Sequence, residues 1–275
     1  MRRYPLLSFF LMTFAITWSL GAVYFLFGKQ LEPYVGQVNH SHPLFYLAVY
    51  APSIAAITVV WRTQGRASLR QFLARLLQWR IGWRWYAFLV IAFILAHLGA
   101  RGVAVLRGEA VPGILYAWYM TAPLALYWLF ADAGPIGEEL GWRGFALPLL
   151  QRRFSPFAAA VLLGTVWAVW HLPALFISGL AQSRFSFPFF VLQTIGLSYL
   201  MMAVYNATNG NVPLVIVIHW LNNVSGSMNL YKVNDKTMIA MFLFYCVAAI
   251  VVKRIAPVKV PFKDPVPGWK DTKNT

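Results

Sequence analysis

Two adjacent glutamates inside an apolar stretch are the first residues of this 275-residue chain able to do chemistry. The sequence holds only eight acids, and Asp132, Glu138 and Glu139 cluster around Gly134-Pro135-Ile136-Gly137-Glu138-Glu139-Leu140-Gly141-Trp142-Arg143. On a helix, Glu139 and Arg143 stand at i and i+4, the favourable order for an ion pair. Glu138 is then one step of about 100° around the axis with no local cation, open to water or a metal. The competing reading makes Glu138 a further member of the Glu139–Arg143 network. An ionisable group at mid-bilayer costs about 2.5–3.5 kcal/mol on insertion scales, so either reading has it facing a cavity or a partner.

The next apolar segment carries Trp167-Ala168-Val169-Trp170-His171, with Pro173 just beyond. Proline removes a backbone hydrogen bond and opens the preceding turn beside His171. The two segments read as a hairpin turning near Phe154 and Ser155. Counting back to Glu138 and forward to His171 gives nearly the same number of residues. At about 1.5 Å per residue, both lie roughly 20–25 Å from the turn, at one level. A third segment supplies His219-Trp220-Leu221-Asn222-Asn223. His219 and Asn223 share a helical face at i and i+4, while Asn222 at i+3 is also a neighbour that spacing does not exclude. His97 has no polar company within its span, and His40 and His42 fall in a loop, so all three read as structural.

These residues must be positioned by membrane helices. The chain is 60% hydrophobic and only 11% charged, which leaves a soluble domain of this size too little charge to cover its surface. Apolar segments near 4–27, 43–61, 85–106, 124–151, 156–177, 187–206, 212–230 and 237–255 are each about long enough to cross a bilayer. The expected fold is all-α, a polytopic membrane protein of about eight transmembrane helices. Residues 1–255 form one transmembrane domain with a catalytic core at about 124–224, and 256–275 a disordered cytoplasmic tail. The first segment exceeds a signal-peptide h-region and reads as an uncleaved span.

The formal net charge of +15 sits in alternate connections. Arg2, Arg3, the run from Arg62 to Arg84 that includes Arg75, then Arg152, Arg153, Lys253 and Arg254 fall on one side. The positive-inside rule therefore puts both termini in the cytoplasm, in the plasma membrane if the source is prokaryotic. The stretch Leu69–Leu77 is basic and amphipathic, and is expected to lie along anionic lipid. No basic cluster interleaves with polar foldable sequence, which argues against a nucleic-acid partner. Cys246 is the single cysteine, so no internal disulfide forms, and it reads as a small buried hydrophobe.

Taken in order, Glu138-Glu139-x-x-x-Arg143, an aromatic-x-x-x-His171, and His219-x-x-x-Asn223 resemble the CPBP intramembrane proteases. That family includes the type II CAAX prenyl endopeptidases and bacterial relatives linked to bacteriocin processing or immunity. The likeness covers about residues 124–224 and extends through Gly144-Phe145-Ala146-Leu147-Pro148; Trp167 departs from the family's usual Phe. The resemblance implies an endopeptidase in which Glu138 and His171 orient and deprotonate water. It implies that His219 and Asn223 stabilise the oxyanion, and that Glu139 and Arg143 shape the site. A divalent metal such as Zn²⁺ on Glu138, His171 and His219 is the alternative use of the same groups. The expected partners are membrane lipids and a membrane-associated peptide or protein substrate, prenylated or simply apolar. Oligomeric state is not specified by the sequence. The competing functions are a non-catalytic scaffold or immunity protein of the same fold, and a transporter, although no paired broken helices in two related halves are evident.

Overall fold

A computed structural model describes residues 1–108, 113, 118–177, 180–227 and 234–270, and the described residues form helices and connecting loops without strands. The helices are α1 (Pro5–Val35), α2 (Pro43–Val49), α3 (Ala51–Ala74), α4 (Trp83–Leu106), α5 (Trp118–Ala131), α6 (Ala133–Gly141), α7 (Leu147–Leu150), α8 (Pro156–Trp170), α9 (Phe187–Ala207), α10 (Val212–Ser227) and α11 (Asp235–Ile255). A π-helical turn, Trp142–Ala146, joins α6 to α7. Single 3₁₀ turns run at Arg75–Leu77, Leu172–Phe176 and Ala181–Arg184.

Among the described residues each apolar segment read from the sequence is largely helical, yet fewer than eight are single unbroken spans. Among the described residues five helices are long and apolar enough to cross a membrane, or six if α2 and α3, bent by 53°, count as one. The expected span at 124–151 is interrupted at Asp132. The Asp132 side chain accepts the Gly134 N–H and caps a new helix start, and Pro135 follows within the first turn, where a missing N–H breaks no helical bond. The segment expected at 212–230 gives α10, whose apolar part runs Val212–Ser225. Residues 228–230 lie outside the described residues.

α6 packs between α3 and α10, and α9 packs between α8 and α11. The contact of α6 with the α2–α3 bend is a backbone approach. A Cβ at Gly137 would press into the Tyr50 ring, and one at Gly141 would overlap the Pro52 carbonyl group. This close seating brings the acid-bearing face of α6 into the centre of the bundle.

One end of the bundle is closed by polar contacts. Arg75, expected on the membrane surface, is instead buried, with 5% of its area exposed. It donates to the carbonyls of Gly144, Pro265 and Gly210 at 2.7–2.8 Å and to the Tyr205 hydroxyl at 2.6 Å. Four acceptors replace the water that a buried guanidinium loses. Elsewhere in this stretch Arg70 is exposed and Phe72 buried, beyond a helix break at Gly65, whose φ of 85° suits a residue without a Cβ.

Residues 256–270, expected to be disordered, are packed on this same end. Phe262 shares hydrogen bonds with Gln151 and Asn206, Arg152 pairs with Asp264, and the Trp269 ring lies 5.6 Å from that of Phe145. The polar composition of the tail concealed its apolar anchors, Val266 and Trp269, which are 1% and 6% exposed. Residues 271–275 lie outside the described residues.

Gly141→Ala tests the backbone contact. In an open helix the change is favourable by about 1 kcal/mol, but overpacking costs about 1–3 kcal/mol. The thermal midpoint in detergent is expected to fall, whereas Gly99→Ala in α4, with no atom near its added Cβ, is expected not to lower it.

Candidate active site

The two adjacent glutamates separate as the helical step requires. Glu139 turns toward α10 and is fully buried, as is Arg143. Its Oε1 accepts from Arg143 Nη1 at 2.8 Å and from His219 Nδ1 at 2.8 Å, while Oε2 takes a second contact from the same Arg143 nitrogen at 3.1 Å. A carboxylate accepts only, so Nδ1 of His219 carries the hydrogen and Nε2 is the nitrogen left toward the cavity. The remaining donors of Arg143, Nε and Nη2, have no hydrogen-bond partner. The guanidinium instead lies over the Trp167 ring, 4.2 Å from its centroid. That cation–π contact supplies part of what burial removes.

Glu138 takes a different partner. Its Oε2 accepts the Trp167 indole N–H at 2.6 Å, and its side chain does not join the Glu139–Arg143 pair. The same Trp167 holds His171 through the backbone: the Trp167 carbonyl accepts from His171 Nδ1 at 2.9 Å. Here too Nδ1 is the protonated nitrogen and Nε2 is directed elsewhere. α8 ends at Trp170 and His171 begins the 3₁₀ turn containing Pro173, as the proline foretold. The Trp170 and Phe190 rings, 4.7 and 5.3 Å from the imidazole, fix its plane.

Asn223 is aimed by Asp132. Its Nδ2 donates to Asp132 Oδ2 at 2.8 Å, while its Oδ1 accepts from Asn222 at 3.0 Å. Asn222 itself accepts from the Tyr245 hydroxyl at 2.7 Å. A Cβ on Gly134 would stand 3.2 Å from both Asn223 Nδ2 and Glu138 Oε1. Those two groups therefore flank one glycine, which leaves the space between them clear.

Glu138, His171, His219 and Asn223 all line one cavity of about 380 Å³, together with Trp167 and Asn222. Glu139 and Arg143 lie beneath it. The candidates set aside take structural places: His97 bonds the Phe93 carbonyl within α4, and His42 caps α2. Cys246 lies on α11, apart from the cavity lining. His40 is different, since it lines the cavity at the loop after α1. Two functional partners escaped the sequence reading. Trp167, in the sequence only the aromatic residue four before His171, is the donor to Glu138. Asp132, noted only as a neighbouring acid, proves to anchor Asn223; its place immediately before Ala133-Gly134-Pro135 was the available signal.

The metal alternative can be tested on the donor set. Both imidazoles have Nδ1 anchored on an oxygen acceptor, the usual support for a ligating Nε2. Among the described residues, however, no group of three His, Cys, Asp or Glu side chains is placed to hold a metal ion. Glu138, His171 and His219 are therefore not gathered as a ligand set.

Residues 120–225 match the family model described as type II CAAX prenyl endopeptidase Rce1-like. The chain is also 31% identical over 122 residues to a protein named CAAX prenyl protease 2 from Methanococcus maripaludis, over 42% of this chain and 44% of that relative. The chain thus spans less than half the length of the curated relative it matches. The family-model match covers Asp132, Glu138, Trp167, His171, His219 and Asn223 of the cavity wall.

Removing one member of a buried ion pair leaves an uncompensated charge, at about 3–5 kcal/mol, while removing both is often close to neutral. Arg143→Met is expected to lower the thermal midpoint strongly, and Glu139→Gln combined with Arg143→Met to recover much of the loss. A double variant no better than the single would show that the pair is not the coupled unit described here.

Proposed function

We propose that this chain, a member of the CPBP family of intramembrane proteases, hydrolyses a peptide bond in a membrane-associated substrate with a water activated by Glu138 and His171. The observation that carries this reading is the division of labour between the glutamates. Glu139 holds the only cation on its helix, and Glu138 is left, oriented by Trp167, on the wall of a cavity that also receives His171, His219 and Asn223.

A water between Glu138 and the unprotonated Nε2 of His171 can be held and aimed by both. Glu138 takes its proton as the oxygen attacks the scissile carbonyl carbon, and returns it to the amine nitrogen as the C–N bond breaks. The carbonyl oxygen becomes an oxyanion that needs fixed donors. The Asn223 amide, oriented by Asp132 and Asn222, is one. His219 is the other, as an imidazolium that donates from Nε2. That state offsets the two glutamates: Glu138 and Glu139 bring two negative charges and Arg143 and His219 two positive ones, with Asp132 a third acid in the cavity wall. In a low-dielectric cavity such preorganised donors act far more strongly than in water. The largely apolar lining suits a substrate with a transmembrane, lipidated or otherwise apolar segment.

Glu138→Gln and His171→Ala are each expected to reduce kcat by about 10²–10⁴, the usual contribution of a general base. Cleavage of a membrane-anchored peptide, with expression and thermal midpoint as controls, reads this out; normal rates in both variants would remove the catalytic assignment. Trp167→Phe keeps the ring over Arg143 and loses only the N–H. With a charge-assisted hydrogen bond at about 1.5–3 kcal/mol, kcat should fall by about 10- to 100-fold with KM unchanged. Because no ligand triplet is assembled, chelation is expected to leave the rate intact. Loss on chelation and recovery with Zn²⁺ would reinstate the metal reading.

A further inference from the structure

The Asn223 side chain has a direction that its shape does not set. A carboxamide carries an oxygen and a nitrogen of similar size, and half a turn exchanges acceptor for donor. Its neighbours therefore decide which end goes where. Asp132, at the break between α5 and α6, is a carboxylate and only accepts, so its Oδ2 draws Asn223 Nδ2 to 2.8 Å. Asn223 Oδ1 then needs a donor, and Asn222 Nδ2 supplies one at 3.0 Å. Asn222 Oδ1 needs donors in turn. It receives the Tyr245 hydroxyl at 2.7 Å and Gln193 Nε2 at 3.4 Å.

Every link runs the same way, from α9 and α11 through two asparagines on α10 to the carboxylate. Aligned hydrogen bonds polarise one another, so such a chain resists reversal as a unit. Its far end is built into the packing. α11 packs along α9, and a Cβ at Gly196 of α9 would stand 3.0 Å from the Phe242 carbonyl oxygen, one turn before Tyr245. Tyr245 is buried, 5% exposed, and is absent from the cavity lining that holds Gln193, Asn222 and Asn223. It also lies beyond residues 120–225 of the family-model match.

We propose that Tyr245, with Gln193 beside it, is a positioning residue for the reaction: its hydroxyl, acting through Asn222, holds the Asn223 amide nitrogen where it donates to the oxyanion. In this orientation Nδ2 lies beside Gly134 on the side of Glu138 Oε1, each 3.2 Å from a Cβ placed on that glycine. Reversal would put the Asn223 oxygen there, and an acceptor would face the developing negative charge. Asp132 and Tyr245 thus secure one amide from opposite ends. The oxyanion role rests on the peptidase reading above; the direction of the chain rests on its hydrogen bonds alone.

The test uses the full chain in detergent, with cleavage of a membrane-anchored peptide as the assay. Tyr245→Phe keeps the ring and removes the donor. It is expected to lower kcat by about 3- to 10-fold, the worth of one neutral hydrogen bond, with KM and the thermal midpoint near wild type. Asp132→Asn keeps an equally good cap for α6 but can turn either end of its amide to Asn223, and is expected to lower kcat by about 10- to 100-fold. Because both ends act on one amide, the double variant should lose no more than Asp132→Asn alone, whereas independent roles would multiply the two losses. Multiplied losses overturn the proposal, as does a Tyr245→Phe variant with a lowered thermal midpoint and intact kcat. A second measurement needs no turnover. With isotope-labelled asparagine side chains read by NMR, Tyr245→Phe is expected to move the carboxamide signals of both Asn222 and Asn223; movement of Asn222 alone shows that the chain does not transmit, and refutes it. Glu138→Gln separates the two ideas. If that variant still cleaves, the catalytic reading fails and takes the oxyanion role with it, whatever the signals show. If it is inactive while Tyr245→Phe keeps full kcat, only the positioning role fails.

Discussion

Glu139 is the residue on which the arrangement turns. Its carboxylate is fully buried and receives two charged or chargeable donors from different places, Arg143 one turn along the same segment and His219 across on α10. A buried carboxylate without such partners would be among the most expensive groups a protein can hold, and the pair with Arg143 alone yields little net stability. Its consequence is geometric. Holding His219 by Nδ1 fixes which imidazole nitrogen faces the cavity, and occupying Arg143 keeps that cation from neutralising Glu138. One hydrogen-bonded carboxylate thereby decides the role of three other side chains.

Trp167 extends the same logic to the reactive side. The Arg143 guanidinium lies against its ring and its N–H points at Glu138, so the positive charge reaches the second carboxylate through a polarisable indole without a direct ion pair. A direct pair would hold Glu138 as a poor base. An unsupported carboxylate would rotate. The indole orients it with a single donor, and its own carbonyl sets the His171 tautomer. With Phe at this position the ring would remain and the donor would not, so the indole nitrogen is what orients Glu138 in this chain.

Much of this was legible in the sequence because helical periodicity is rigid. The i, i+4 spacing of Glu139 and Arg143, the matched distances of Glu138 and His171 from one turn, and the shared face of His219 and Asn223 are consequences of 3.6 residues per turn; four of the six line the cavity and Glu139 and Arg143 pair beneath it. What escaped were interactions that no periodicity carries. Asp132 binding Asn223 across two helices, and Arg75 finding four acceptors in distant segments, depend on tertiary approach. The packing of the tail is hidden for a related reason: Phe262, Val266 and Trp269 are too sparse among Pro, Lys and Asp to give an apolar run, yet three well-placed anchors and one ion pair suffice to pack it.

The interruption at Asp132 also explains why the segment expected at 124–151 is not one straight helix. A continuous helix from 118 to 150 would satisfy all its backbone groups internally, as lipid demands. Stopping it inside the bundle exposes N–H groups at the start of α6 that need an acceptor, and Asp132 supplies one oxygen to Gly134. Its other oxygen is then directed at Asn223. The break is tolerable because it opens on a polar cavity, and the residue that repairs the helix end is the same one that positions a donor in the site. A straight span would have been easier to insert, but it would have left Asn223 without its anchor and the cavity without its upper wall.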